Sequence, residues 1–222
     1  LCAAKDGQQV LWIENTVRHS QKLYQIISAA ALGTSIEVGL IHSRFTQAAR
    51  SANESRWVAL YGKDGSQERL RRGRILIGTQ ILEQSIDIDA DLLITRLAPS
   101  DMLLQRIGRL WRHQPILQRS PSARCKAIIL HSVKYDQVKN LFASRKDDLP
   151  YERYILLRTQ EIWWQLAYIN IPDDIRPIIE GTYSERVEDD SICKLKTELD
   201  KCICSMHQQA LVSTSAALNV ID

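Results

Sequence analysis

Two spacings of apolar residues alternate along the first 130 positions of the chain. In one, apolar residues recur every three or four positions, as Leu23, Ile26, Ile27 and Ala30 do before Gly33, which is typical of an amphipathic helix. In the other, a short continuous apolar run is bounded by turn residues, which is typical of a buried strand. The runs that predict strands are residues 10–13, 36–41, 75–77, 92–95 and 127–130.

Strands that alternate with helices predict an α/β fold, a parallel sheet with helices on both faces. Thr46 is expected to cap a helix that runs to about residue 60, and Ser100 with Asp101 is expected to cap another. After about residue 145 the pattern becomes mainly helical, in residues 151–168 and again in 191–218. We therefore predict an α/β lobe at 1–145 and a mainly helical segment at 146–222. Trp163 and Trp164 are expected to pack between helices rather than to stack on bases.

Polar residues follow four of the predicted strands. In a parallel sheet the carboxyl ends of the strands meet at one edge, where such folds bind their ligands. Gly78-Thr79-Gln80 suits a phosphate oxygen of a nucleic-acid strand, although a threonine here also serves as a simple helix cap. His42 is equally suited to a structural hydrogen bond and to a ligand contact. The four polar segments are Asn15-Thr16, His42-Ser43-Arg44, Gly78-Thr79 and Ala98-Pro99.

Three arginines, Arg106, Arg109 and Arg112, are spaced three apart in Gln-Arg-x-Gly-Arg-x-x-Arg. If they share one helix they form a cationic row on one face. A triphosphate held by a second lobe would supply the missing anion, with an arginine neutralising charge in the transition state. The alternative is a basic helix face that is only solvated.

Acidic residues and a second arginine cluster flank this row. Glu83, Asp87, Asp89 and Asp91 precede it, and arginine neighbours favour ion-paired positioning over a metal site or an acid/base pair. The cluster of Arg69, Arg71, Arg72 and Arg74 is most simply a solvated helix end, with contact to a nucleic-acid strand as the alternative.

Composition excludes some classes of protein. The 222 residues are 45% hydrophobic and 25% charged, as in a soluble globular protein, and the net charge of +3 is too small to indicate nucleic-acid binding by itself. There is no apolar run long enough for a membrane span and no signal peptide, and five irregularly spaced cysteines suit a reducing cytosol. The spacing of Cys193, Cys202, Cys204 and His207 matches no common zinc site. A phosphate-binding loop and a magnesium-binding Asp-Glu pair are absent from the sequence, so we expect a piece of a longer polypeptide that lacks the triphosphate cradle.

The motif-bearing residues resemble a known family. Residues 78–89, GTQILEQSIDID, resemble motif V of superfamily-two helicases, and residues 105–112 resemble motif VI, which places them in the second RecA-like lobe. VLWIENTVRHSQKLY, HSRF, LAPSDMLLQRIGRLWRH and INIPDDIRPIIEGTY resemble, more narrowly, the CRISPR-associated helicase–nuclease of type I systems.

The resemblance implies roles for individual residues. Arg109 and Arg112 would reach the γ-phosphate of ATP bound to the first lobe, Arg106 would support the interlobe contact, and Asp87 would sit near the ribose or an arginine. The implied ATP-site residues are Arg106, Gln84, Asp87 and Gln105, and the implied strand contacts are Thr79, Gln80, Ser43, Arg44, Asn15 and Thr16.

The resemblance also implies cofactors and partners. They are ATP with Mg²⁺ bound mainly by the first lobe, single-stranded DNA tracked 3′ to 5′, an HD nuclease domain and an RNA-guided surveillance complex, all in the cytoplasm. Two alternatives remain open: a superfamily-two helicase outside CRISPR defence, and a non-catalytic module that binds nucleic acid or protein.

Overall fold

The structure is a computed structural model that describes residues 1–63, 69, 71–83, 87–113, 118–131 and 150–188, together with 193, 196, 197 and 200. The chain divides into two compact units, Leu1–Ser132 and Val133–Asp222. The boundary that we predicted at residues 145 and 146 lies outside the described residues. Within the described ranges, no helix is long and apolar enough to cross a membrane.

The first unit is built on a parallel sheet, as predicted. Its strands are β1 (Gln9–Ile13), β2 (Glu37–Ile41), β3 (Arg74–Gly78), β4 (Leu92–Arg96) and β5 (Lys126–Leu130). They lie in the order β2-β3-β1-β4-β5, and each neighbouring pair is parallel. The helices of this unit are α1 (Cys2–Lys5), α2 (Val17–Ala31), α3 (Gln47–Tyr61) and α4 (Ser100–Ile107), with a 3₁₀ turn at Gln80–Leu82.

Both faces of the sheet are covered, because successive strand residues point to opposite sides. Leu11 and Ile13 of β1 pack on one side with Trp57 and Tyr61 of α3. Val10 lies on the other side, in a cluster to which α1 contributes Ala4 and α2 contributes Leu23, Tyr24 and Ile27. The α/β prediction with helices on both faces is confirmed.

Threonine hydroxyls cap α2 and, as predicted, α3, whereas the cap predicted for α4 is absent. The hydroxyl of Thr16 accepts a hydrogen bond from the His19 amide at 3.2 Å, and Thr46 does the same for Ala49 at 3.4 Å. Pro99 is the N-cap of α4, and no side chain caps this helix. The prediction of a cap at Ser100-Asp101 is therefore wrong.

The helix α4 ends at Ile107, with Gly108 at its C-cap. Arg109 and Arg112 therefore lie beyond the helix, and the predicted row of three arginines on one helical face is wrong. The chain turns away because Leu110 forms a β-bridge with Ala90 and Trp111 takes a left-handed φ of 52°.

The prediction of a solvated arginine cluster is also wrong for two of its members. Arg69 and Arg74 are 1% and 2% exposed. Arg69 pairs with Asp91 at 2.7 Å and Arg74 with Glu37 at 3.0 Å. Arg71 and Arg72 are exposed, as predicted.

The second unit contains α5 (Arg153–Trp163) and α6 (Ile175–Tyr183). Buried Arg158 of α5 donates hydrogen bonds to Gly181 and Ser184 at the end of α6, which ties the two helices together. Trp163 is half-buried and Trp164 is 55% exposed, so burial between helices is wrong for Trp164. Most of the helix predicted at 191–218 lies outside the described residues.

Gly78, the last residue of β3, has no room for a side chain. A Cβ there would lie 2.4 Å from Leu82 Cδ1 and 2.6 Å from the Ile41 carbonyl oxygen. We expect Gly78→Ala to lower the free energy of unfolding by about 1–3 kcal/mol, measured by urea denaturation. Gly108→Ala is the matched control, because its Cβ would meet nothing closer than the Gln105 carbonyl oxygen at 3.3 Å. Equal losses at the two positions would contradict this explanation.

Candidate functional site

The carboxyl ends of β1, β3 and β4 bring the polar loops together. Ile13 lies in register with Gly78 on one side and Thr95 on the other, so Asn15, Thr79 and the start of the loop after β4 are neighbours. The Asn15 side-chain amide donates to the Leu97 carbonyl at 2.8 Å. The Gln80 side-chain amide donates to the Asn15 carbonyl at 3.0 Å. Three loops distant in sequence thus form one surface.

Arg106 is the buried centre of this arrangement. Its side chain is 0% exposed and forms an ion pair with Glu83, with Nε 2.7 Å from Oε1. Its NH1 group donates to Asn15 Oδ1 at 3.2 Å and to Thr95 Oγ1 at 2.7 Å. A guanidinium used in this way holds the loops after β1, β3 and β4 in place. The structure thus gives Arg106 a role within the lobe, and its expected contact with nucleotide or with another lobe stays a prediction.

Glu83, which sequence reasoning left in a general acidic group, is the counter-charge of Arg106. Burial raises the pKa of Glu83 and outweighs the opposing effect of the Arg106 guanidinium. Its main-chain oxygen also accepts a hydrogen bond from Arg109 NH2 at 2.5 Å. One residue after the 3₁₀ turn therefore contacts two of the three motif arginines.

Arg109 is half-buried, and its Nε is buried without a partner in the part of the chain that the structure describes. Its pKa is lowered, first by burial and then by the nearby Arg112 guanidinium, while Asp87 opposes the shift. Because burial and a neighbouring cation destabilise the charged form of Arg109, an anion bound beside it would stabilise that form.

Arg112 lies at the surface next to Asp87. Its Nε is 3.3 Å from Asp87 Oδ1, and the two side chains are 43% and 48% exposed. The same carboxylate oxygen lies 2.9 Å from His113 Nε2. Asp87 therefore orients an arginine, as one of the sequence alternatives proposed, and the pair is weak enough to exchange partners because solvent screens it.

Asp89 and Asp91 form a buried ionic cluster with Arg69 and Arg119. Arg119 NH2 donates to both oxygens of Asp89 at 2.8 Å, and its NH1 donates to Asp91 at 2.7 Å. Arg69 NH2 donates to the same oxygen of Asp91 at 2.7 Å. These ion pairs agree with the ion-paired positioning that the sequence predicted for the acidic residues.

The loop after β2 presents two exposed residues, Ser43 and Arg44. Beneath them, His42 is 4% exposed, stacks on Phe45 at 4.4 Å and accepts a hydrogen bond from the Arg44 amide through Nδ1. Burial lowers the pKa of His42, so the neutral ring shapes the loop and the structural alternative for this histidine is favoured.

The remaining predicted residues differ in how accessible they are. Asn15 and Thr79 are 8% and 3% exposed, and both polar ends of the Asn15 side chain are used within the lobe. Thr16 caps α2. Gln105 is exposed on α4, and Gln84 lies outside the described residues. A direct strand contact by the Asn15 side chain does not fit this placement.

Sequence reasoning did not assign roles to Arg69, Arg119 or His113. Each of them bonds to a residue of the acidic segment 83–91. The four carboxylates of that segment therefore indicated several basic partners, and the search should have included basic residues outside the motif. Among the described residues, no group of three or more His, Cys, Asp or Glu could hold a metal ion. Cys202, Cys204 and His207 lie outside them.

The parallel sheet, the loops at its carboxyl edge and the arginines beyond α4 define the class as a RecA-like helicase lobe. Residues 6–115 match the family model described as CRISPR-associated nuclease/helicase Cas3, C-terminal. The chain belongs to this Cas3 family, which confirms the resemblance.

Two curated relatives and three solved structures illustrate the match. Identity is 38% to the nuclease/helicase Cas3 of Streptococcus thermophilus over 88% of this chain, and 42% to that of Escherichia coli (strain K12) over 51% of it. The chain spans only 19% and 12% of those two relatives. The crystal structure of T. fusca Cas3 matches 95% of this chain and 24% of its own length at 30% identity, with a TM-score of 0.80.

Two further solved structures are also similar to this chain. T. fusca Cas3 with ATP matches 94% of this chain and 23% of its own length at 30% identity, with a TM-score of 0.78. A chain of a CRISPR RNA-guided surveillance complex, pre-nicking, matches 94% of this chain and 24% of its own length at 29% identity, with a TM-score of 0.73.

Proposed function

We propose that this chain is the half of an ATP-dependent single-stranded-DNA translocase that supplies arginines to a nucleotide held by another RecA-like lobe. The observation that carries the proposal is the placement of Arg109 and Arg112. Both lie outside α4, close enough for Arg112 to lower the pKa of Arg109, with the exposed Asp87 carboxylate beside them.

The residues present fit a polyphosphate anion. The buried Nε of Arg109 lacks a partner among the described residues, and Arg112 is held only by a screened ion pair. When bound, ATP would supply a transferable phosphoryl group whose charge grows during transfer. Arg112 would leave Asp87 and swing to that charge, while Arg109 would add a second guanidinium. Mg²⁺ would be held by the other lobe.

The strand would cross the same edge of the sheet. Arg44 and Ser43 offer a cation and a hydroxyl on an exposed loop, and Gln80 is partly exposed beside the Asn15 main chain. Such groups suit contacts to the sugar–phosphate backbone, which position a strand without reading its sequence. The hydrogen bond between Arg106 and Asn15 would connect the loops proposed to contact DNA with the end of α4, beyond which Arg109 and Arg112 lie. A shift of one would then move the other.

The CRISPR setting supports a partner. A similar chain occurs in a structure titled as an RNA-guided surveillance complex, so we propose that such a complex recruits the protein that contains this chain. The helicase and nuclease named for the relatives are activities of proteins several times longer. The contribution proposed for this chain is to the motor.

The direct test of the motor is hydrolysis of ATP in the presence of single-stranded DNA. We expect no turnover by this chain alone, none by a first RecA-like lobe of a Cas3 relative alone, and turnover when the two are joined in one polypeptide. ATP hydrolysis by the chain alone would contradict the proposal. So would the absence of hydrolysis by a joined protein that is folded and binds ATP.

The strand contact has its own prediction. Arg44→Ala is expected to weaken binding of a fluorescent poly-dT oligonucleotide and to reduce the dependence of log Kd on log salt by about 0.7, the value for one phosphate contact to a single strand. The matched control is Arg124→Ala, which removes the same charge from an exposed position next to the amino end of β5. Equal weakening by the two variants would mean that only net charge matters.

A further inference from the structure

The segment 109–113 carries the half-buried Arg109 and the exposed Arg112, and it lies beyond the end of α4. Its backbone is attached instead to residues 89–91. The Trp111 amide donates to the Ala90 carbonyl at 3.1 Å, and the Ala90 amide donates to the Arg109 carbonyl at 2.8 Å. The His113 amide donates to Asp89 Oδ2 at 2.8 Å. The positions of Arg109 and Arg112 therefore depend on how firmly Asp89 and Trp111 are held.

Arg119 contacts both of these residues. Its NH2 group donates to both oxygens of the fully buried Asp89 carboxylate at 2.8 Å, and its NH1 group donates to Asp91 Oδ1 at 2.7 Å. The same guanidinium lies over the Trp111 ring, with Cζ 4.6 Å from the ring centroid. Arginine suits this place because its planar guanidinium stacks on the indole ring while two separate nitrogens reach two carboxylates, and a compact ammonium group cannot do both.

Trp111 needs this support because its backbone is strained. A φ of 52° is rarely adopted by a bulky residue. The ring is fixed on one side by Arg119 and at its edge by the hydrogen bond from Nε1 to the Asp91 carbonyl at 3.1 Å. Without them the segment is free to relax toward ordinary φ values, which would redirect Arg112.

We propose that Arg119, which lies outside the helicase motifs, is the positioning residue of the arginine segment. It holds Asp89 and Trp111 so that the segment that carries Arg109 and Arg112 keeps a fixed geometry. This inference rests on the proposed function for its effect on turnover, but its effect on the segment itself is independent of any nucleotide.

The chain offers a matched control in Arg69. Arg69 pairs with the same buried carboxylates, at 2.7 Å from Asp91 and 3.6 Å from Asp89. Its side-chain hydrogen bonds and ion pairs go to Asp89 and Asp91, whereas the guanidinium stacked on Trp111 is that of Arg119. Arg69→Lys and Arg119→Lys thus make the same chemical change in one ionic cluster, and the Trp111 contact distinguishes them.

The first measurement is amide hydrogen exchange of the full 222-residue chain, followed in peptides that cover residues 108–114 and in peptides from β1 and β3. Arg119→Lys is expected to speed exchange in the segment at least tenfold and to leave the strands unchanged. Arg69→Lys should leave the segment unchanged. Uniform acceleration by Arg119→Lys, or equal effects of the two variants on the segment, would overturn the proposal.

A second variant keeps the test decisive if Arg119→Lys does not fold. Trp111→Leu retains all the ion pairs of Asp89 and Asp91 and removes the stacked ring, so it should speed exchange in the same segment. Unchanged exchange in Trp111→Leu would overturn the positioning role.

Turnover by the joined two-lobe protein completes the test. Arg119→Lys should lower kcat for ATP at least tenfold with KM changed less than threefold, and Arg69→Lys should not. If Arg112→Ala lowers kcat and Arg119→Lys does not, the inference fails while the proposed function stands. If Arg112→Ala also leaves kcat unchanged, the proposed function fails, and with it this effect of Arg119.

Discussion

Arg112→Ala is expected to lower single-stranded-DNA-stimulated ATP hydrolysis by the joined two-lobe protein about a thousandfold or more, on the order of 4 kcal/mol of transition-state stabilisation. Stability should hardly change, because the side chain is 43% exposed and solvent screens its ion pair with Asp87. The rate is measured under saturating ATP and DNA, and the fold by thermal unfolding of the same preparation. Near-normal turnover would show that Arg112 is not the arginine that meets the phosphate.

Two control variants sharpen this result. Arg112→Lys retains the charge without the guanidinium fork and should recover only part of the rate. Asp87→Asn removes the resting partner of Arg112 and leaves the guanidinium in place, so it should keep far more activity than Arg112→Ala. If Asp87→Asn were as damaging as Arg112→Ala, the carboxylate would itself be a catalytic group.

Arg106→Ala is expected to act on the fold instead. Loss of the guanidinium leaves Glu83 buried without its ion-pair partner and removes hydrogen bonds to Asn15 and Thr95. Breaking a buried ion pair on one side costs about 3–5 kcal/mol, so the midpoint of urea unfolding should fall sharply. Arg112→Ala is the matched control, since the same replacement six residues further along the chain should have little effect on that midpoint.

The compensating variant identifies the cause of the loss. Arg106→Met with Glu83→Leu replaces both buried charges by apolar groups of similar volume and should regain much of the stability. If Arg106→Ala alone were as stable as the unchanged chain, the structural role of Arg106 would be refuted, and a direct contact with another lobe would become the better explanation of its place in the motif.

Much of the lobe could be predicted from the sequence because the signals are local. Apolar runs bounded by turn residues marked every strand of the sheet to within a residue or two, and strand–helix alternation was enough to predict parallel pairing. The loops at the carboxyl ends followed from that topology, and contacts among Asn15, Gln80 and Leu97 agree with it.

The spacing of the three motif arginines did not predict that they differ in burial and in partners. Equal spacing suggested that the three side chains share one helical face. The helix ends at Ile107, however, and the β-bridge between Ala90 and Leu110 and the left-handed φ of Trp111 follow it. Burial of Arg69 and Arg74 was missed for a related reason. Their carboxylate partners, Asp91 and Glu37, are distant in sequence, and a local charge cluster carries no information about them.

The account depends most on Arg109 and Arg112 completing a nucleotide site on another lobe. The direct measurement is the affinity of this chain for a separate first RecA-like lobe, determined by fluorescence with ADP, with ADP and aluminium fluoride, and without nucleotide. A mimic of the transferring phosphoryl group should tighten the association at least tenfold, because arginines of this kind bind the transition state more tightly than the ground state. Replacement of Arg109 and Arg112 by alanine should abolish that gain and leave the affinity without nucleotide unchanged. Equal tightening in the unchanged chain and in the double variant would contradict the account.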